Sequence, residues 1–148
     1  MLLDDEQAAL NELVGACRES ADHYEDAAER IDDAGLRELF GHVRAARLDS
    51  AERLAAAVRE TGELPRAPNT DREGLDQLIT HVKATFADDA RGVFLDSRIE
   101  DERRIEGLAR DALALELGDA ARACVGALLA HATETLGRLV EARAGTAP

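Results

Sequence analysis

The sequence predicts an all-α protein folded as an antiparallel four-helix bundle. Three observations predict it. The chain is rich in Ala, Leu, Glu and Arg, with only three prolines and four aromatic residues in 148, a composition of strong helix formers. Apolar residues recur at alternating spacings of three and four along four long blocks, the mark of a helix with one packed seam. Capping residues, glycine and proline separate the blocks. A chain of this length is long enough for a real core and is read as a single domain over 1–148.

Helix one is expected over about 5–32, started by a capping box of Asp4 and Gln7. Its inward set is Leu10, Leu13, Cys17, Ser20, Tyr24, Ala27 and Ile31. Helix two is expected over about 34–61, with Asp33 as N-cap and Gly62 as stop. Its seam is Leu36, Phe40, Val43, Arg47, Ser50, Leu54 and Ala57. So short a connection makes the first two helices an antiparallel hairpin.

The stretch "GELPRAPN" at 62–69 reads as an extended crossover. Thr70 and Glu73 form a capping box ahead of a short extra helix over about 71–86, with a break near Asp88. Helix three is expected over about 89–116, with Leu95, Ile99, Glu102, Ile105, Ala109 and Ala112 on its seam. Gly118 stops it, and Asp119 caps helix four over about 120–143. Ala121, Val125, Leu128, Ala132, Leu136 and Leu139 form the last seam. Two hairpins joined by a longer crossover is a known four-helix-bundle topology.

Charge narrows the function classes. Acidic residues number 31 against 18 basic, a net charge of −13. Nucleic acid and anionic lipid both require clustered cations, so neither is an expected partner. There is no run of 18 apolar residues, and the start "MLLDDEQ" has no basic region, so no membrane span or signal peptide is expected and the protein is placed in the cytoplasm. Cys17 and Cys124 lie in apolar helical patterns and are read as buried reduced thiols. A disulfide between them is geometrically allowed but not implied. No phosphate loop and no Ser-His-Asp arrangement occurs, and Lys83 is the only lysine. Asp22, Asp26 and Glu29 read as a solvated acidic face, and His42 and His81 as surface residues.

One position breaks the apolar rule. Glu102 falls on the helix-three seam between Ile99 and Ile105 in "IEDERRI". A carboxylate buried alone costs several kcal/mol, so it needs a metal ion, a buried cation, a proton or water. Other polar residues share its height in the bundle: Ser20 on helix one, Arg47 and Ser50 on helix two, with His131 flanking the seam of helix four. A polar layer in a four-helix bundle is where carboxylate-bridged dimetal sites are built.

The stretches "LNELVGACRESADHYEDAAERI", "RELFGHVRAARLDSAERLAAAVRETG" and "EDERRIEGLARDAL" resemble a family of small, functionally uncharacterised bacterial proteins of the ferritin-like superfamily. The resemblance spans nearly the whole chain and rests on helical pattern plus a few fixed residues. It implies a ferritin-like bundle and invites comparison with the dimetal ligand set. Glu102 matches the helix-three carboxylate and His131 the helix-four histidine, but the residue three before His131 is Leu128. The helix-two pair is Arg47 and Ser50, and the helix-one glutamate position holds Cys17. Two of six ligands remain, too few to hold a dimetal centre against water.

The expectation is therefore that Arg47 replaces the metal and pairs with Glu102, its planar fork matched to a carboxylate. The expected function is a non-enzymatic scaffold or interaction module with a degenerate dimetal site and no cofactor, partnered by a second copy or another protein. The rival is a metal-binding or oxidative-stress protein holding Fe, Mn or Zn through Glu102 and His131, helped by Glu19, His23 or Asp49. A third class is a small-molecule binder using a cavity between alanine-rich helices.

Overall fold

The computed structural model describes residues 4–62 and 90–145. They form four helices: α1 (Asp5–Arg30), α2 (Ala34–Glu60), α3 (Ala90–Leu113) and α4 (Asp119–Ala144). No strand occurs among the described residues. The expected short helix at 71–86, its Thr70–Glu73 capping box, the break near Asp88 and His81 all lie outside them.

The caps form for local reasons. The Asp4 carboxylate accepts from the Gln7 amide at 2.7 Å, and the Gln7 side chain accepts from the Asp4 amide at 3.1 Å, a reciprocal capping box. Asp33 accepts from the Leu36 amide at 3.0 Å and from Arg91 Nε at 3.0 Å. It thereby caps α2 and ties the start of α3 to the first hairpin. That amide and the guanidinium hold its carboxyl below the usual range. Arg37 donates to the Ala28 and Ile31 carbonyls, which satisfies the end of α1. Gly62 follows α2 at φ 91°, a left-handed conformation that suits glycine.

The connection between α3 and α4 differs from expectation. Helix α3 ends at Leu113, three residues short of the expected 116. There Leu115 N–H turns back to the Ala112 carbonyl, and Arg122 of α4 donates to the Leu113 and Leu115 carbonyls. Asp119 is the first residue of α4 rather than its cap. Gly118 takes the N-cap position, and its amide donates to Glu6 of α1 at 3.2 Å.

The helices run up, down, down and up. Glu6, Glu60, Gly118 and Asp119 meet at one end. At the other, Arg91 reaches Asp33 and the Ala142 carbonyl, and Asp96 accepts from Arg143 at 2.9 Å. Every adjacent pair is therefore antiparallel, and Gly62 and Ala90 lie at opposite ends of the bundle.

Nearly every expected seam residue is buried. The exceptions are Ser50 and Leu136, which are half-buried. On α4, Thr135 is buried in place of Leu136. The core falls into two apolar clusters. One gathers Leu10, Leu13, Leu54, Ile105 and Leu128, and the other Tyr24, Phe40, Phe94, Leu95 and Leu139. Between them in sequence on three helices lie Ser20, Arg47 and Glu102, all fully buried.

Candidate functional site

Arg47 and Glu102 face each other across the bundle as a bidentate pair. Arg47 Nη1 donates to Glu102 Oε1 and Nη2 to Oε2, each at 2.7 Å. Both side chains are 0% exposed. The same guanidinium donates from Nη1 to Ser20 Oγ at 3.1 Å, and Nη2 lies 3.4 Å from His131 Nδ1. A guanidinium has five N–H donors, and here four are used. The buried Nε–H finds no acceptor among the described residues. Burial works against the Arg47 charge, but the Glu102 carboxylate outweighs it and holds the guanidinium above its ordinary value.

Glu102 has a third donor that the sequence pattern did not reveal. Tyr24 Oη donates to Glu102 Oε1 at 2.6 Å. Burial first, and then the adjacent carboxylate, push the Tyr24 hydroxyl well above its ordinary value, so it stays a neutral donor. The Tyr24 ring packs edge-on to Phe40 at 5.5 Å, and the Arg98 guanidinium lies 5.0 Å over it, a cation–π contact. Arg98 is itself buried and pairs with Asp101 at 3.1 Å. Spacing along the helix signals neither the burial of Arg98 nor its aromatic partner.

The remaining candidates separate. Ser50 is half-buried and lines a groove beside the layer rather than belonging to it. Helical rotation explains this, since three residues past Arg47 fall short of a full turn and place Ser50 off the seam, on the side facing the groove. Cys17 is buried next to the layer, and burial pushes its thiol up to about 12, so it is inert at neutral pH. Cys124 is also free, but it is only half-buried, contrary to the expectation of burial. Its place on the groove wall leaves one side uncovered. His42 is exposed beside Glu38; of the expected solvated acidic face only Glu29 is exposed, while Asp22 and Asp26 are half-buried.

Metal-ligand chemistry does not fit this arrangement. Among the described residues, no three or more His, Cys, Asp or Glu side chains are grouped to hold a metal ion. Both oxygens of Glu102 are taken by donors. Arg47 has only donors to offer, so His131 Nδ1 must accept, and that lone pair is occupied too. Asp49 is bound by Arg53 at 2.9 Å. Glu19 is buried and His23 half-buried on α1, and neither joins such a group.

The His131 environment sets a pH dependence. Burial and then the Arg47 charge lower its pKa, against weaker upward pulls from Glu102 and Glu134, while Arg138 adds to the lowering. Below about pH 6.5 the unfolded chain takes up the histidine proton before the native state does. The His131 contribution is therefore intact above that pH and is lost as pH falls toward the depressed native value. Thermal melts at pH 7.5 and 5.5 should show a smaller loss on acidification for His131→Asn than for the parent. An equal loss in both would contradict the placement of His131 against Arg47.

Fold and site together define a class: an all-helical antiparallel bundle whose centre is an ion pair rather than an apolar layer. The chain belongs to the family described as Domain of unknown function (DUF2383), whose model matches residues 5–115. That range contains Ser20, Tyr24, Arg47 and Glu102 and ends before α4. No curated protein and no solved structure matches the chain.

Proposed function

We propose that this protein is a non-enzymatic scaffold or protein-interaction module. In this reading it is a ferritin-like bundle whose dimetal position has been taken over by an ion pair. One observation carries the reading: the two-toothed contact of Arg47 with Glu102 at the height where a dimetal centre would need carboxylates. A fixed guanidinium there supplies the positive charge a metal would supply, and it repels a cation that approaches. The partner in this reading is a second copy of the chain or another protein. Among the described residues no helix is long and apolar enough to cross a membrane.

The rival with a reduced ligand set makes the opposite prediction. Elemental mass spectrometry on native protein, purified without chelator or added metal, should find Fe, Mn and Zn each well below one equivalent. Glu102→Ala should leave that content unchanged while destabilising the fold. One or two equivalents of a transition metal, lost in Glu102→Ala, would overturn the scaffold reading.

A further inference from the structure

Helices α2 and α4 meet across small side chains and leave a groove between them of about 370 Å³. Its walls are mostly apolar, formed by Ala46, Ala123, Ala127 and Cys124, with Ser50 and His131 as polar points. The groove is open to solvent along one side, so an occupant would be covered on its inner face only. Asp49 and Arg53 sit on its α2 side, joined to each other at 2.9 Å.

His131 links the groove to the buried layer. Its Nδ1 contacts Nη2 of the fully buried Arg47. A guanidinium can only donate, so Nδ1 is the acceptor and the neutral ring carries its proton on Nε2. Nε2 lies on the other side of the ring from that contact, and the half-buried ring forms part of the groove wall. The buried pair thus holds one neutral N–H donor at an apolar groove.

Charge selects among occupants. An anion would meet Asp49 on the wall and a chain of net charge −13, with Arg53 already engaged by Asp49. A cation would be drawn toward Asp49, but that carboxylate is already paired with Arg53 on the same wall, and His131 offers no open lone pair. We infer that the α2–α4 groove binds a small neutral molecule with an apolar body and one carbonyl-type acceptor, received by His131 Nε2–H. This site is separate from the proposed scaffold role and stands or falls without it.

Three probes of one shape test it: acetophenone, ethylbenzene and benzoate, titrated into the full chain near pH 7.5. Imidazole nitrogen NMR should first show His131 as the Nε2–H tautomer. Acetophenone should then shift the His131 Nε2 signal and bind about five-fold more tightly than ethylbenzene, the share of one neutral hydrogen bond. Benzoate should bind most weakly. In His131→Phe, acetophenone should fall to the ethylbenzene level. Ala127→Leu, a change at an exposed helical position, should abolish both while helicity is retained. The proposal is overturned if benzoate binds best, if ketone and hydrocarbon bind alike, if the preference survives His131→Phe, or if neither neutral probe binds.

Discussion

Glu102→Ala is expected to cost about 3–5 kcal/mol of unfolding free energy, the scale for removing one partner of a buried pair. The loss does not come from deleting a strong attraction. It comes from leaving the fully buried Arg47 charge with, among the described residues, only Ser20 and His131 as partners. The Tyr24 hydroxyl also loses its acceptor. Replacing the whole unit should behave differently. Tyr24→Phe, Arg47→Met and Glu102→Leu together remove both charges and the orphaned hydroxyl, and the triple variant should return to within about 1 kcal/mol of the parent or exceed it. Urea unfolding of the two variants checks both arms. A Glu102→Ala midpoint close to the parent's, with unchanged slope, would mean that Arg47 finds another partner and that the pair does not organise the core.

This contrast bears on which parts of the molecule the sequence could reveal. The Arg47–Glu102 contact was legible because two charged residues of opposite sign occupy seam positions at the same height on different helices. A bundle interior leaves such residues little choice but each other. Tyr24 was legible only as a seam aromatic. Its apolar ring satisfies the periodicity, and the direction of one hydroxyl depends on a rotamer that spacing does not encode. Arg98 was hidden for the opposite reason. Its charge suggests the surface, yet a long stem and a planar head allow burial against an aromatic face. Ser50 shows the limit of three-four counting, because 3.6 residues per turn drifts against the seam and a small side chain is not pulled inward. The end of α3 was set by Arg122, a residue of the next helix that reaches back to its last carbonyls, which local stop signals cannot report.

Arg47→Met should be about as destabilising at pH 7 as Glu102→Ala, roughly 3–5 kcal/mol, but its deficit should depend on pH in a way the other's does not. The methionine fills similar volume and leaves Glu102 fully buried, with Tyr24 as its one remaining donor among the described residues. A carboxylate stranded in such surroundings takes up a proton rather than remain charged. The folded variant then holds a proton at pH values where its unfolded chain, with an ordinary glutamate near about 4.3, has released it. Stability therefore falls as pH rises from that value toward neutrality, and the deficit relative to the parent shrinks as pH is lowered to about 4. Taking the difference from the parent at each pH removes the common contribution of the surface carboxylates. In Glu102→Ala the stranded group is a guanidinium that stays charged throughout, so its deficit should not shrink in this way. A deficit for Arg47→Met that stays constant from pH 7 to 4 would show that Glu102 escapes to water once released. The core would then be plastic enough at this layer to lose its ion pair without trapping the charge.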